Sequence, residues 1–390
     1  MKHIGIICEY NPFHAGHAYL LDRVKGEGVV ICLMSGNFTQ RGEAAILPPH
    51  ERAKMALLHG ADLVLELPYP YSAGSARYFA TAGVRALMGV GADTLAFGSE
   101  RANATALLEA AEVTMQADFR EKVANGVKNK GDAALYFEAL GEERFGPNDI
   151  LALEYARAVH ARGDKMALYP VLRVGAGYHD AEVGEGFPSA TALRAKLARG
   201  EDISADLPEG VGEILCIAVD EGLAPADTAK LGAPMLAVLR GILANSAATG
   251  AKNAIFADCG GGLLERLCRV SSDATDYESL CRLAATKKYT DGRIRRALLY
   301  ILSGVTRADL TAAPAYLRLL GANARGREFL AKTRKTRTVP VVTKPADIAA
   351  LGARAQRQQQ LSALSDGLFA LTLPSPLAPA RLAVRPPVML

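Results

Sequence analysis

The sequence predicts an α/β fold in which a parallel sheet is followed by a mainly α-helical C-terminal region. Through the first 200 of the 390 residues, short apolar runs alternate with helical patterns. Buried apolar strands that alternate with helices are typical of a parallel sheet covered by helices on both faces. After residue 200 helical periodicity dominates and strand signals are few. We therefore expect two parts, residues 1–200 and residues 201–390.

The individual elements follow from local patterns. Four apolar runs rich in β-branched residues and bounded by turn formers predict strands at residues 4–8, 29–34, 63–67 and 94–97. Helical periodicity predicts helices near residues 18–24, 51–59 and 104–114, and later at 210–221, 228–244, 263–270, 277–285 and 293–302. The Pro-rich tail from residue 373 is expected to be irregular or to wrap along the surface. Ligands of such sheets bind beyond the carboxyl ends of the strands, so the segments that follow the strands are the first candidates for a site.

Composition excludes several classes of protein. Lys and Arg number 45 against 41 Asp and Glu, which leaves a net charge of +4. No uncharged apolar run approaches the ~18 residues of a membrane-spanning helix, and Glu9 interrupts the N-terminal apolar run of a potential secretory signal. The six cysteines form no CxxC pair, which argues against a zinc ribbon and indicates reduced thiols. We expect a cytoplasmic protein without a membrane partner; the sequence does not indicate an oligomeric state.

The most specific motif follows the first predicted strand and contains His14, Gly16 and His17. Pro12 favours a helix start just after it, which places both histidines on one face of the first turns. Amide groups at a helix N-terminus suit phosphates, and the imidazoles add donors where charge develops on a leaving pyrophosphate. Gly16 allows close approach to the backbone. Two histidines on an ordinary amphipathic helix are the alternative, but the strand–turn–helix context favours a nucleotide site.

This HxGH motif resembles the signature of the HIGH-type nucleotidyltransferase superfamily, whose members usually carry a second signature, S-[ST]-T-x-x-R. Ser189, Thr191 and Arg194 fit the second signature, with Ala190 at its more variable place. In that superfamily the second signature contacts the triphosphate, so the resemblance implies a Rossmann-like nucleotidyltransferase domain that binds ATP. A Ser or Thr cap on an unrelated helix is the alternative.

Longer matches are similar to the bacterial tRNA(Met) cytidine acetate ligase family. The matching segments are residues 5–17, 35–43, 97–100, 147–151, 173–180, 288–296, 320–323 and 326–328. One departure is Ala15, where the family often has Asn, and the C-terminal tail aligns poorly. The resemblance implies an ATP-dependent ligase that activates acetate as acetyl-adenylate. It then acetylates N4 of the wobble cytidine of elongator tRNA(Met), forming N4-acetylcytidine and releasing AMP and pyrophosphate.

The site residues are carried over position by position. His14, His17 and Arg194 are the implied catalytic residues. ATP, accompanied by Mg²⁺, is the implied co-substrate, although no carboxylate cage for a metal is visible in the sequence. The positions implied to bind ATP are Ile7, Cys8, Glu9, Tyr10, Asn11, Pro12, Phe13, His14, Ala15, Gly16, His17, Ala18, Tyr19, Leu20, Gly98, Asn148, Arg173, Ser189 and Thr191. Taken alone, Gly98, Asn148 and Arg173 are as readily a turn glycine, a cap asparagine and a surface arginine.

A basic segment in the second part indicates a polyanion site. Between residues 281 and 337 there are 14 Lys and Arg residues and only three acids. Such a concentration of positive charge is typical of RNA binding, and Tyr289 would stack on an exposed base. A solvated helix face is the alternative. The residues predicted to bind tRNA are Lys287, Lys288, Tyr289, Arg293, Arg295 and Arg296.

Two other functions remain compatible with the motifs. A conventional nucleotidyltransferase acting on a small phosphorylated acceptor would use the same two signatures, and a non-catalytic RNA-binding protein could retain a degenerate nucleotide fold. The basic segment argues against the first, since a small acceptor needs no such surface. His14, His17 and Arg194 argue against the second.

Overall fold

A computed structural model describes residues 1–100, 102–119, 121, 149–173, 188–249, 256–375 and 377–390. These residues form eight strands of one sheet, in the order β5-β4-β1-β2-β3-β6-β7, with β8 beside β6. The strands are β1 Lys2–Cys8, β2 Gly28–Ser35, β3 Leu63–Leu67, β4 Thr94–Ser99, β5 Ala167–Leu172, β6 Leu317–Ala322, β7 Val341–Val342 and β8 Val388–Met389. The strands β1 to β5 pair in parallel, which confirms the predicted fold class and the four predicted strands.

The helices of the first part connect successive strands, except the last, which follows β5. They are α1 Ala15–Val24, α2 Pro49–Leu58, α3 Ala76–Val90, α4 Ala104–Met115, α5 Asp149–His160 and α6 Ala190–Ala198. Successive side chains of a strand point to opposite faces. Ile4 and Ile6 of β1 therefore belong to the core that contains α1 and α2, whereas Ile7 belongs to the core that contains α3, α4 and α5. The sheet is covered on both faces, as its apolar strands require.

The second part is mainly helical and packs mostly on the α1–α2 face, although Phe329 belongs to the core on the opposite face. Its helices are α7 Val211–Asp220, α8 Gly232–Thr249, α9 Leu263–Val270, α10 Tyr277–Ala284, α11 Asp291–Ser303, α12 Arg307–Thr311, α13 Ala324–Lys332, α14 Ala353–Thr372 and α15 Pro379–Ala383. Strand β5 of the first part and strands β6, β7 and β8 of the second part were not predicted. Because β6 pairs antiparallel with β3, the sheet does not end near residue 200. The tail is also less irregular than expected, since β8 pairs with β6.

The strand order places the site. β1 has β2 on one side and β4 on the other, so the direction of winding reverses between β1 and β4. A doubly wound sheet opens a crevice at the carboxyl ends of the strands at such a point. The loop after β1, the end of β4 and the end of β5 therefore line one cleft.

Candidate active site

The loop between β1 and α1 places two histidines at a helix N-terminus. His14 is the N-cap residue of α1, and its Nδ1 accepts a hydrogen bond from the Gly16 amide at 3.0 Å. His17 Nδ1 accepts a hydrogen bond from the His14 amide at 3.2 Å. The two ring centroids lie 3.8 Å apart. This reciprocal capping box confirms the prediction that a helix starts shortly after Pro12 and carries both histidines in its first turn.

The same hydrogen bonds assign the histidine tautomers. A neutral imidazole nitrogen that accepts a hydrogen bond carries no proton, so the proton of each ring lies on Nε2. Because Nδ1 of each ring faces the helix backbone, each Nε2–H points away from the backbone. The helix terminus therefore presents two N–H donors in addition to its own amides, where the helix dipole already favours phosphate.

The electrostatics of the cleft keep both rings neutral. Burial lowers the pKa of His14 to about 4, and the charges of Arg173 and Arg194 act in the same direction. Burial also holds the pKa of His17 well below its ordinary range, assisted by His14 and Arg173. Near pH 7 the histidines thus act as neutral donors, and the positive charge comes from the arginines.

The second predicted signature lies against the first. Ser189 caps α6, its Oγ accepting a hydrogen bond from the Ala192 amide at 3.2 Å. Arg194 donates from Nη1 to the Asn11 carbonyl at 2.7 Å and from Nη2 to Thr191 Oγ1 at 3.2 Å. Two segments 183 residues apart are therefore joined at the histidine loop. The Ser189 hydroxyl therefore acts as the helix N-cap, which was the alternative considered for this residue.

The ends of β4 and β5 supply the opposite wall of the cleft. The Arg173 amide donates to the Ser99 carbonyl at 3.0 Å. The Arg173 side chain crosses Gly98 so closely that a Cβ at Gly98 would lie 3.3 Å from Arg173 Cγ. The bare backbone at Gly98 therefore leaves room for the Arg173 side chain, whose charge acts on both histidines. Asn148, the remaining nucleotide-binding prediction of this wall, lies outside the described residues.

Several predicted ATP-binding residues turn their side chains into the core. Ile7, Cys8, Tyr10, Asn11 and Phe13 are at most 9% exposed. Any contact of these residues with a nucleotide therefore depends on their backbone atoms. Pro12 is also buried, and partial exposure is found at Glu9, His14, Ala15, Gly16, His17, Ala18, Tyr19 and Leu20.

Sequence reasoning missed Arg52, which organises the carboxyl edge of the sheet. Arg52 lies on α2 with 0% exposure. Its guanidinium donates to the carbonyls of Leu47 at 3.0 Å, Glu9 at 2.6 Å and Ser35 at 3.0 Å, and also to that of Gly36. Burial lowers its pKa to about 10. The only available signal was an arginine on the apolar face of a helix, which does not by itself reveal four distant carbonyls.

Glu9 also has a role that the motif did not reveal. Its Oε1 accepts a hydrogen bond from the Gln40 amide at 2.7 Å. Burial raises the pKa of the Glu9 carboxyl, while Arg194, Arg52 and Arg41 oppose that rise. Glu9 therefore balances part of the positive charge of Arg194, Arg52 and Arg41 and ties the loop after β2 to the loop after β1.

Comparisons with known proteins decide the family. The sequence matches the family HIGH Nucleotidyl Transferase over residues 1–378. The tRNA(Met) cytidine acetate ligases of Syntrophotalea carbinolica and Listeria monocytogenes are each 35% identical over 88% of this chain, and the matches cover 85% and 89% of those proteins. The chain belongs to the tRNA(Met) cytidine acetate ligase family. The crystal structure of Thermotoga maritima TmcAL bound with alpha-thio ATP aligns over 100% of both chains, at 26% identity and a TM-score of 0.87.

In this tRNA(Met) cytidine acetate ligase family member, the basic segment does not form one surface. Arg295 on α11 pairs with Glu43, beyond the carboxyl end of β2. Arg325 on α13 donates to the carbonyl of Gly28, the first residue of β2, at 2.6 Å. A strand as long as β2 spans about 25 Å. The segment therefore contributes cations to opposite edges of the sheet, and α11 lies at the edge that carries the histidines.

Part of the set predicted to bind tRNA is engaged within the protein. Tyr289 is 7% exposed and its hydroxyl donates to the Gly261 carbonyl, so the prediction of a ring available for base stacking is wrong. Arg296 Nε lies 2.8 Å from Asp258 Oδ2, and Arg293 donates to a carbonyl of the same loop at 2.7 Å. A local pattern of cations and an aromatic ring does not show that a distant loop packs against it.

Lys287 and Lys288 keep the exposure that an RNA contact requires. Lys288 Nζ donates to the Gly261 carbonyl at 2.8 Å yet remains exposed. These two lysines are therefore the strongest remaining members of the predicted set.

Two kinds of feature are not found among the described residues. No group of three or more His, Cys, Asp or Glu side chains there is placed to hold a metal ion. No helix in the described ranges has the length and apolar character needed to cross a membrane.

Proposed function

We propose that this protein is an ATP-dependent ligase that acetylates N4 of the wobble cytidine of elongator tRNA(Met), with acetyl-adenylate as its intermediate. The observation that carries the proposal is the contact between the two signatures, Arg194 Nη1 lying 2.7 Å from the Asn11 carbonyl of the histidine loop. Supporting it, the acetate ligase of Acetivibrio thermocellus is 30% identical over 96% of each chain. The solved relative from Thermotoga maritima holds an ATP analogue.

In the first step, an acetate oxygen attacks the α-phosphorus of ATP. The new C–O–P linkage forms as the bond from the α-phosphorus to the bridging oxygen breaks, and pyrophosphate leaves with that electron pair. Negative charge grows on the phosphate oxygens in the transition state. The Nε2–H groups of His14 and His17 would donate to those oxygens, while Arg194 and Arg173 would balance the leaving pyrophosphate.

Neutral histidines suit this role. Donors that already point into the cleft need no reorganisation as charge develops. Since the pKa of His14 is lowered to about 4, its donor form does not change across the physiological range. The adjacent arginines supply the positive charge.

In the second step, the cytidine N4 attacks the acetyl carbonyl carbon, and the C–O bond to AMP breaks. The amine loses one proton, and N4-acetylcytidine and AMP are the products. Catalysis requires that the anhydride stay shielded from water until the amine arrives. The partly buried loop 9–17 forms the protein side of that shield.

Mg²⁺ is expected to accompany ATP rather than to occupy a protein cage. Magnesium in nucleotide sites is bound mainly by substrate phosphates and waters, with one or two carboxylates. Glu9 is a carboxylate in the cleft, but its Oε1 already accepts the Gln40 amide. When bound, the ion would supply charge neutralisation on the phosphates.

One experiment separates this function from its alternatives. The purified protein is incubated with ATP, radiolabelled acetate and bulk tRNA, and the RNA is digested and examined for labelled N4-acetylcytidine. Label that requires both ATP and acetate supports the proposal. Transfer of nucleotide without acetate would indicate a conventional nucleotidyltransferase, and RNA binding without use of ATP would indicate a non-catalytic protein. His17→Ala should abolish acetate-dependent ATP–pyrophosphate exchange, and near-normal exchange by that variant would contradict the assignment.

A further inference from the structure

A second cavity opens at the carboxyl edge of the sheet, on the far side of β3 from the histidine cleft. Its volume is about 370 Å³, within the range of small-molecule pockets. Glu66 lies near the end of β3, and Arg318 lies at the start of β6. The remaining walls come from residues 342–348, from α14 and from residues 383–387 of the tail. None of these residues takes part in the adenylation cleft.

The polar side of the cavity is a half-buried arginine, Arg318, between two buried carboxylates. Arg318 Nε lies 2.5 Å from Glu66 Oε2, and its Nη1 lies 3.9 Å from Asp366 Oδ2. Asn37 Nδ2 donates to Asp366 Oδ1 at 2.6 Å. Glu66 and Asp366 are 7% and 5% exposed. Each carboxylate accepts about four hydrogen bonds, so both retain acceptor capacity toward a ligand.

The remaining walls are mainly apolar, although Gln359 and Ser362 of α14 also line them, and the rim is basic. Val342 and Ile348 lie on one side and Pro386 on the other. Lys344 is exposed at the rim. Arg385 Nη2 lies 2.5 Å from Glu51 Oε1. The buried Nη1 of Arg385 has no hydrogen-bond partner among the described residues. A ligand with a flat apolar body, an amine at one end and an anionic group at the other would match these surfaces.

We propose that this cavity binds an unpaired nucleotide whose base bears an exocyclic amine, with the amine on the Glu66–Asp366 side and the phosphate at Lys344. Carboxylates accept hydrogen bonds from an exocyclic amine such as cytosine N4, and Arg318 would donate to a ring acceptor. Uracil, which lacks that amine, would donate no hydrogen bond to these carboxylates from the same position. In this proposal the C-terminal tail contributes to nucleotide binding, because residues 383–387 form one wall of the cavity.

The position of the cavity suits a nucleotide of the RNA substrate, and in that form the inference rests on the proposed function. β1, β2, β3 and β6 are successive neighbours, so three strand spacings, about 15 Å, separate the cavity from the histidine loop. Single-stranded loops present splayed bases to protein pockets. A nucleotide close to the reacting cytidine could therefore enter this cavity. A free nucleotide has the same chemistry, and the test distinguishes the two sources.

The test fills the cavity from an exposed position. Ala363 on α14 lines it and is exposed, so Ala363→Phe blocks the space without disturbing the core. Leu364→Phe is the matched control, since Leu364 is 39% exposed on the same helix and does not line the cavity. Fluorescence anisotropy measures binding of unmodified elongator tRNA(Met) transcript. We expect Ala363→Phe to weaken it about tenfold, the loss of one base contact, and Leu364→Phe to leave it within about twofold.

A second pair of variants guards against a folding artefact. Lys344→Glu should weaken transcript binding, whereas Lys165→Glu, at an exposed lysine outside the cavity, should not. Binding of CMP and UMP to the full chain, measured by calorimetry, reports the free-nucleotide source. A preference for CMP that Ala363→Phe removes, with transcript binding unchanged, supports the pocket and assigns it to a free nucleotide.

The outcomes separate this inference from the proposed function. Equal transcript and CMP binding by Ala363→Phe and Leu364→Phe overturns the pocket. ATP–pyrophosphate exchange in the wild-type protein tests the adenylation site alone. Its absence would contradict the proposed function, while the paired binding measurements would still decide the cavity.

Discussion

Replacing His14 by Asn separates the helix-capping role of that histidine from its proposed catalytic role. His14 caps α1 through Nδ1, which accepts from the Gly16 amide at 3.0 Å, and presents Nε2–H to the cleft. Asparagine is among the best N-cap residues, so His14→Asn retains an acceptor for the helix amides. It removes the imidazole donor. His14→Ala removes both functions.

The expected magnitudes differ for the two functions. Loss of an N-cap costs about 1 kcal/mol of stability, so His14→Ala should be destabilised by that amount and His14→Asn by much less. Loss of one preorganised donor to a charged transition state costs about 100- to 1,000-fold in rate. Both variants should therefore lose acetate-dependent ATP–pyrophosphate exchange to a similar extent, although only one loses stability.

Urea denaturation and the exchange assay on the same preparations provide the measurements. Near wild-type exchange by His14→Asn would refute the donor role. If exchange were lost in His14→Ala and restored in His14→Asn, activity would depend on the helix cap alone, and the tautomer argument would be wrong.

Three further predictions follow from the structure. His14 has its ordinary pKa of 6.5 in the unfolded chain and a pKa of about 4 in the folded chain. Between these values the unfolded chain binds more protons, so the free energy of unfolding should fall as the pH is lowered from 6.5 to 4. Urea titrations should show a smaller fall for His14→Asn, which lacks this group. Arg52→Met leaves four carbonyls without their guanidinium, so urea midpoints should report a loss of about 3–5 kcal/mol; a loss below 1 kcal/mol would contradict its organising role. Lys287→Glu should weaken tRNA binding in anisotropy assays, most at low salt, without changing stability. Arg296→Ala should instead lower the melting temperature, because it leaves the carboxylate of Asp258 unpaired.

The four strands predicted in the first part could be recognised because each is an apolar run buried on both faces. Strand β6 is equally buried, but its sequence lies in a region where helical periodicity dominates, and its partner β3 precedes it by about 250 residues. Pairing at that distance leaves no local signal. The same reason explains why the tail, expected to be irregular, contributes β8.

The candidate site shows the same division. His14, His17, Ser189 and Arg194 were predicted because nucleotide chemistry restricts the residue types and spacings that serve it. The contact between the signatures is a tertiary fact, since Arg194 reaches the Asn11 carbonyl through the packing of α6 beside the loop. The tautomers also required the structure, because only the capping geometry shows which nitrogen of each ring is free.

The sequence by itself determined the α/β class, the histidine and arginine signatures and the similarity to an acetate ligase family, because these depend on residue type and short spacing. The tertiary structure alone decided which of the side chains predicted to bind tRNA are exposed and which are engaged within the protein. It buried Tyr289 against Gly261, paired Arg296 with Asp258 and left Lys287 exposed. It also placed Arg52 beneath the cleft. Availability depends on what packs against a side chain, and in a sheet assembled from distant segments that neighbour is remote in sequence.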